Sequence, residues 1–288
     1  MAEMSEDVIS FDKMRQFVYN KMYYCGYFQK IWRKLPMIYQ FYREGFFGYG
    51  EEGDFQIFGF WHFFPIVLLV LAMILTTLKR DRFREWKYEA RFRYILSFVM
   101  LMAEMSYFWR VLYVGDEYGN HTLMTKLPMQ LCQWGLICCV FMIISLNDTL
   151  FGLNYYITFF GAVIAIASPI VISRTGPTYF RYYQFWLEHL LPIYATYYAM
   201  TVHQKRPKYW HLWLAYAGML AMTIPASIVN LSFEEANYFY LKLNLPLIPE
   251  NYLLRVVIYS AVTIAAFHLL WGLYLWMKHI KKKREEKR

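Results

Sequence analysis

Seven long apolar runs constrain this chain more than any other feature of its sequence. They lie at roughly 56–78, 92–114, 127–146, 150–174, 179–203, 209–231 and 251–277. Each run is long enough to cross the roughly 30 Å of hydrocarbon in a bilayer. Backbone groups in lipid must be hydrogen-bonded within their own segment, and the alternating pattern of a membrane barrel is absent. We therefore predict an all-α membrane protein whose seven transmembrane helices occupy residues 56–277.

The composition separates this chain from soluble proteins. Of its 288 residues, 58% are hydrophobic and only 18% are charged, which is too little charge to cover a soluble domain of this length. Residues 1–55 are more polar and contain no apolar core of the kind found in a cleavable signal peptide. Near one helical face they place Phe11, Met14, Phe17, Val18, Met22 and Cys25. We predict that residues 1–55 form an amphipathic segment at the membrane interface.

Basic residues are concentrated in alternate loops. The segments 79–93 and 278–288 carry seven Lys and Arg residues each, whereas 115–126 and 232–250 carry one each. Basic loops stay on the cytoplasmic side of a membrane. We therefore predict a multi-pass protein of the cell membrane with its N-terminus outside and residues 278–288 as a basic cytoplasmic tail. The net charge of +9 follows from this topology, and we expect no binding to nucleic acid.

No motif in the sequence indicates a cofactor. The four cysteines are Cys25, Cys132, Cys138 and Cys139, and none forms a CxxC pair or a metal-binding spacing with histidine. Phosphate-binding loops, dinucleotide fingerprints and nucleophile elbows are also absent. We therefore predict neither a metal nor any other cofactor. Membrane lipids are the expected partners, and the sequence defines no protein partner.

Polar side chains gather at one depth of the predicted bundle. The outer half receives Arg110, Gln130, Cys132, Gln133, Gln184, Glu188, His189, Asn230 and Arg255. Ionisable groups in lipid are costly and usually face the bundle interior, where they mark a site. We expect an outward polar chamber between the second, third, fifth and seventh spans, with Glu188 paired to Arg110 or Arg255.

Helical geometry separates the polar residues of the third span. At about 100° per residue, Gln130 and Gln133 share a face, whereas Cys132 lies about 160° from Gln130. Cys132 is then a small apolar filler, unless Pro128 distorts the start of the helix. The two glutamines either bind a ligand or join helices by hydrogen bonds.

Three patches carry a resemblance to the YwaF-like integral membrane proteins of bacteria. They are "LPMQLC" in the third span, "YYQFWLEH" in the fifth and "VNLSFEEANYFYLKLNLP" after the sixth. The resemblance extends from about Trp61 to the end of the chain. The positions that match the family's motifs are Cys132, His189, Asn230, Asn237 and Tyr238.

This family is similar to the eukaryotic transmembrane acyltransferases that remodel ether phospholipids, and more remotely to transmembrane hydrolases of fatty-acid esters. The resemblance implies a cysteine or threonine nucleophile assisted by a histidine. The chain departs from the motif at two positions, because Gln130 replaces the motif histidine and Met129 stands where the eukaryotic nucleophile lies. The resemblance then implies Cys132 as a displaced nucleophile with His189 as its base, which is the alternative to the small apolar filler.

Three hypotheses follow for the function. The first is a lipid acyltransferase or hydrolase that uses Cys132 and His189. The second is a lipid or small-molecule carrier that binds headgroups through Arg110, Gln130, Gln133, Gln184, Glu188, His189 and Arg255. The third is a structural or partner-binding membrane protein in which these polar groups only join helices. In each case we expect residues 232–250, with Asn230, Asn237 and Tyr238, to fold back as a lid in which Tyr238 is partly buried.

Overall fold

The computed structural model describes residues 45–48, 55–114, 127–167, 169, 176–234, 236–242 and 250–286. Within these ranges the chain forms α-helices and one short 3₁₀ turn, and it contains no strand. The elements are α1 (Phe60–Leu78), α2 (Arg80–Glu85), α3 (Glu89–Val114), α4 (Leu131–Ser145), α5 (Asp148–Ala167), α6 (Phe180–Thr201), α7 (Tyr209–Ser232), the 3₁₀ turn η1 (Tyr238–Tyr240) and α8 (Tyr252–Glu286).

Five of these helices are long and apolar enough to cross a membrane, namely α1, α3, α5, α7 and α8. Helix α4 is apolar but has only 15 residues, so its length is about 22 Å, less than the roughly 30 Å of hydrocarbon. Helix α6 has 22 residues but carries Gln184, Glu188 and His189. Each of the seven predicted runs therefore contains a helix, and five of them meet the length and hydropathy of a membrane span. The basic segment 79–93, which the sequence predicts to be a loop, contains the short helix α2.

Helix α4 lies inside the bundle, where it packs against α3, α5 and α6. Leu136, Cys139, Met142 and Ile143 of α4 are buried in the main apolar core. A small residue permits the approach of α5, since a Cβ at Gly135 would lie 3.2 Å from the Ile157 side chain. The outer members have large exposed apolar faces, as expected of helices that contact lipid: α1 packs on α6, and α8 packs on α7 and α5.

A buried ion pair closes the C-terminal end of α4. Arg93 donates to both carboxylate oxygens of Glu89, at 3.0 and 3.1 Å, and each residue is less than a tenth exposed. The same guanidinium donates to the carbonyls of Ile143 and Ile144 at 2.8 Å. These carbonyls belong to the last turn of α4 and have no partners within the helix. The ion pair thus fixes the end of α4 that lies far from Cys132.

Two segments outside the helices close the other end of the bundle. Arg110 donates to the carbonyls of Phe47 and Gly48 at 2.9 and 2.8 Å. Residues 236–242 pack back on α4 and α7 and bury Tyr238, which is 1% exposed. Tyr238 is therefore buried more completely than the partial burial we predicted. The rest of the predicted lid and the predicted amphipathic face between residues 11 and 25 lie outside the described residues.

Candidate functional site

The start of α4 differs from the one assumed in the sequence analysis. Gln130 has extended backbone angles, with φ −74° and ψ 152°, and the first helical residue is Leu131. The angle of 100° per residue therefore does not apply between Gln130 and Cys132, and the two side chains nevertheless contact different parts of the protein, as predicted. The Gln133 side chain returns to the backbone of Gln130, whose N–H donates to Gln133 Oε1 at 3.1 Å. Cys132 consequently lies in the first turn of α4.

Cys132 meets two consecutive residues of α6. Its thiol donates a hydrogen bond to Glu188 Oε1, with 3.6 Å between the sulfur and the oxygen. The Cys132 sulfur, a Glu188 oxygen and a ring nitrogen of His189 all lie within 4.8 Å of one another. Glu188 and His189 are buried, while Cys132 is partly exposed. We call these three residues the Cys132 centre.

The imidazole of His189 has a defined orientation. Its Nδ1 lies 2.8 Å from the carbonyl oxygen of Phe185, one turn earlier in α6. A carbonyl oxygen only accepts hydrogen bonds, so Nδ1 carries the proton and Nε2 carries the lone pair. The Phe185 ring packs against the imidazole with a centroid distance of 4.4 Å. His189 is thus held as a neutral acceptor through Nε2.

A network of buried side chains supports Glu188. Gln184 donates to Glu188 Oε2 at 2.9 Å, and Arg181 approaches the same oxygen at 3.5 Å. Arg181 also donates to Gln184 Oε1, and its guanidinium lies 4.3 Å from the centre of the Tyr107 ring. These contacts anchor Oε2 and leave Oε1 directed at Cys132.

A second carboxylate reaches the centre from α3. Glu104 is 5% exposed, and its Oε1 accepts a hydrogen bond of 2.8 Å from Gln133. Its Oε2 has no hydrogen-bond partner among the residues that the structure describes. Glu104 lies ten residues from the end of α3, which corresponds to about 15 Å along the helix axis. Glu104 therefore lies nearer the Val114 end of α3 than its Glu89 end, in the half of α3 that also carries Arg110.

Amide side chains hold the backbone of residues 236–242. Gln130 donates to the carbonyl of Asn237 at 3.3 Å and accepts from the N–H of Phe239 at 2.9 Å. Asn230 accepts from the N–H of Tyr238 at 2.7 Å and donates to its carbonyl at 3.0 Å. Burial also raises the pKa of the Tyr238 phenol above its usual range, so the phenol is neutral at physiological pH.

The same segment contains backbone strain. Phe239 and Tyr240 both have a φ of 54°, in the left-handed region that bulky residues rarely occupy. Such strain persists only where surrounding contacts enforce it, and it is concentrated at functional sites. Two further hydrogen bonds hold the backbone of this segment in place. Arg255 donates to the Leu241 carbonyl at 3.2 Å, and the N–H of Lys242 donates to Asn237 Oδ1 at 2.8 Å. Tyr240 lies close enough to interact electrostatically with Cys132.

Comparison with known proteins assigns the chain to a family. A model described as the TMEM164 family matches residues 57–274, which is more than half of the chain. The chain belongs to the TMEM164 family. No curated protein and no solved structure matches it. The match includes every residue of the Cys132 centre and of the network around it.

In this member of the TMEM164 family, the predicted residues divide into two groups. The Cys132 centre and its network contain Cys132, Gln133, Gln184, Glu188 and His189. A second group holds the backbone of residues 236–242 and consists of Gln130, Asn230, Asn237 and Arg255. Arg110 instead contacts the 45–48 segment, and the ion pair of Glu188 is with Arg181 rather than with Arg110 or Arg255.

Sequence reasoning did not select three residues near the centre, namely Glu104, Arg181 and Tyr240. Glu104 carried a usable signal, as an acidic residue in the middle of an apolar run. The two positions that depart from the family motif both contact the 236–242 segment. Met129 packs against its buried cluster, and Gln130 hydrogen-bonds its backbone. The two residues that depart from the family motif therefore contact the 236–242 segment and not the Cys132 thiol.

Proposed function

We propose that this protein transfers or hydrolyses acyl groups of membrane lipid esters at the Cys132 centre. The observation that carries the proposal is the mutual approach of the Cys132 thiol, the Glu188 carboxylate and the His189 imidazole within 4.8 Å. A thiol within reach of a base that a third group orients is the general arrangement of covalent acyl transfer. The resemblance to ether-phospholipid acyltransferases supports phospholipids as the substrate class.

The reaction needs a thiolate at Cys132, and the neighbouring Glu188 carboxylate opposes this negative charge, so the helix start and His189 have to supply the opposing contributions. Cys132 occupies the second helical position of α4, where the positive end of the helix dipole stabilises a negative charge. His189 presents the lone pair of Nε2, because Nδ1 is occupied by Phe185. The first turn of α4 also carries backbone N–H groups that have no partner within the helix. These N–H groups are the donors we assign to the oxyanion of the tetrahedral intermediate.

The proposed reaction has two steps. His189 Nε2 accepts the thiol proton, and the sulfur attacks the ester carbonyl, so that a C–S bond forms and the C–O bond to the lipid alcohol breaks. His189 returns the proton to the departing alkoxide, which leaves as a lysolipid. In the second step, His189 deprotonates the hydroxyl of an acceptor lysolipid or of water, whose oxygen attacks the thioester. Cys132 then leaves and is reprotonated.

The test is lipid turnover by the purified full-length protein in mixed phospholipid with a lysolipid acceptor. We expect Cys132→Ala to abolish acyl transfer and His189→Gln to lower its rate by a factor on the order of 100 or more. Cys139→Ala is the matched control. Cys139 lies two helical turns further along α4, where its thiol donates to the carbonyl of Pro192 at 3.6 Å. Transfer that is unchanged in Cys132→Ala would exclude the thiol mechanism and leave the Arg181–Gln184–Glu188 network as a brace between helices.

The topology of the protein is part of the proposal. We infer that α4 and α6 cross the membrane together with the five apolar helices, which gives seven spans, an external N-terminus and a cytoplasmic C-terminus. The basic segments 79–93 and 278–288 support this orientation, and it opens the Cys132 centre toward the outer leaflet. A reporter fused after Arg288 that is detected outside the cell would contradict it.

A further inference from the structure

We propose that Cys132, Glu188 and His189 bind a Zn²⁺ ion, and that the bound ion blocks the thiol. Metal binding itself stands independently of the acyl transfer proposed above, while its inhibitory effect rests on that function. The three side chains offer one sulfur, one carboxylate oxygen and one imidazole nitrogen. These are the ligand atoms that zinc uses in proteins, and three protein ligands leave a fourth position for water or substrate.

The geometry fits a tetrahedral ion. With a Zn–S distance of about 2.3 Å and a Zn–O distance of about 2.1 Å, the sulfur and oxygen of a tetrahedral site lie roughly 3.6 Å apart. Cys132 Sγ and Glu188 Oε1 are separated by 3.6 Å. The His189 nitrogen is within 4.8 Å of both atoms, so a small side-chain rotation completes the site.

The contacts behind the ligands match those of known metal sites. A histidine that binds a metal almost always donates its other ring N–H to a carbonyl or carboxylate, which fixes its orientation. His189 Nδ1 has this contact with the carbonyl of Phe185. Ligating carboxylates are likewise hydrogen-bonded from behind. Gln184 and Arg181 hold Glu188 Oε2, and Oε1 faces the sulfur.

The buried charges also favour a divalent cation. The ionised forms of Glu104, Glu188 and Cys132 carry three negative charges, and Arg181 supplies one positive charge. One Zn²⁺ ion brings this group to neutrality, and uncompensated charge in a buried site is costly. Glu104 is the second, independent observation, because it is 95% buried, its Oε2 lacks a hydrogen-bond partner in the described part of the chain, and it interacts electrostatically with Glu188.

This proposal departs from the prediction of no metal that we made from the sequence. Consecutive residues such as Glu188 and His189 match no metal-binding spacing, and Cys132 lies 56 residues earlier in the chain. The site forms only because α4 begins opposite the middle of α6. On binding, the thiol proton is released to solvent and the sulfur becomes a zinc ligand. The same sulfur is then unable to attack an ester.

The experiment measures metal binding on the full-length protein in lipid nanodiscs after treatment with a chelator. Zn²⁺ is titrated against a competing chromophoric chelator, and Co²⁺ is added separately to detect the absorption of a sulfur–cobalt bond. We expect one ion per chain in the wild type and in Cys139→Ala. Cys132→Ala and His189→Gln should each lower Zn²⁺ affinity by a factor on the order of 100 or more, and Cys132→Ala should remove the sulfur–cobalt absorption. Gln184→Leu should weaken binding about 10–100-fold while keeping that absorption.

Thermal unfolding of each variant establishes that it is folded. A wild-type protein that binds no stoichiometric Zn²⁺, or equal affinity in wild type, Cys132→Ala and His189→Gln, would overturn the zinc site. Acyl transfer that requires Zn²⁺, rather than being inhibited by it, would overturn the blocking role. Binding of Zn²⁺ at the three residues, with no acyl transfer in either the metal-free or the metal-bound protein, would leave the zinc site standing and reject the proposed function.

Discussion

Replacing Asn230 with leucine should release residues 236–242 from the bundle. Asn230 is fully buried, and its amide bonds both backbone groups of Tyr238. Its Oδ1 accepts from the Tyr238 N–H at 2.7 Å, and its Nδ2 donates to the Tyr238 carbonyl at 3.0 Å. Leucine has the same branched arrangement of four side-chain heavy atoms but no hydrogen-bonding group, so the substitution removes these bonds without opening a cavity.

The magnitude follows from the groups left without partners. A buried backbone donor or acceptor that loses its hydrogen bond costs about 1–3 kcal/mol, and Tyr238 loses two such bonds. Opening of the segment also relieves the left-handed backbone of Phe239 and Tyr240, which stores about 1 kcal/mol or more at each residue. Burial of the Tyr238 ring opposes the opening. We expect a local destabilisation of about 3 kcal/mol, which corresponds to a roughly 100-fold rise in the opening equilibrium.

The assay is hydrogen–deuterium exchange by mass spectrometry on the protein in nanodiscs. Peptides that cover residues 236–242 should exchange roughly 100-fold faster in Asn230→Leu, while peptides from α4 and α5 keep their protection. Asn154→Leu is the matched control. Asn154 is also fully buried, but it bonds Thr196 at 2.8 Å and Thr158 at 3.0 Å, far from the segment. Unchanged exchange of residues 236–242 in Asn230→Leu would refute the reasoning.

Two further predictions concern the packing of the bundle. Gly152→Ala should lower the free energy of unfolding by about 1–3 kcal/mol or more, because the new Cβ would lie 1.8 Å from Nδ1 of the buried His211. Adding His211→Ala should recover part of this loss in a double-mutant cycle. Additive effects of the two substitutions would contradict the clash. Arg93→Ala should destabilise the protein by about 1–3 kcal/mol in thermal unfolding, since the carbonyls of Ile143 and Ile144 lose their donor while Glu89 keeps its contacts with His203 and Tyr198, and unchanged stability would show that Arg93 does not hold the end of α4.

The helices and the class of protein could be predicted from the sequence, because long apolar runs reflect the thickness of the bilayer directly. Hydropathy located all seven runs but not the depth at which each helix begins. Helix α4 starts at Leu131, inside the bundle, and this late start brings Glu104 level with Gln133. Relative depth depends on the packing of helices against each other, which a single sequence does not contain.

The composition of the candidate site could be predicted only in part. Glu188 and His189 were selected because ionisable residues in an apolar run are costly, and that argument holds for any fold. The partner of Glu188 was mispredicted, because Arg110, Arg181 and Arg255 all lie near helix ends and depth alone does not distinguish them. Arg181 forms the ion pair with Glu188 because it lies seven residues earlier on the same helix, about two turns away.

The most direct test of the account is the detection of an acyl group on Cys132. The full-length protein is incubated with a phospholipid that carries an alkyne-labelled acyl chain, quenched in acid and digested for mass spectrometry. We predict a hydroxylamine-labile thioester on the peptide that contains Cys132, present in the wild type and Cys139→Ala and strongly reduced in His189→Gln. An acyl label on another residue, or acyl transfer by the wild type with no label on Cys132, would contradict the central claim.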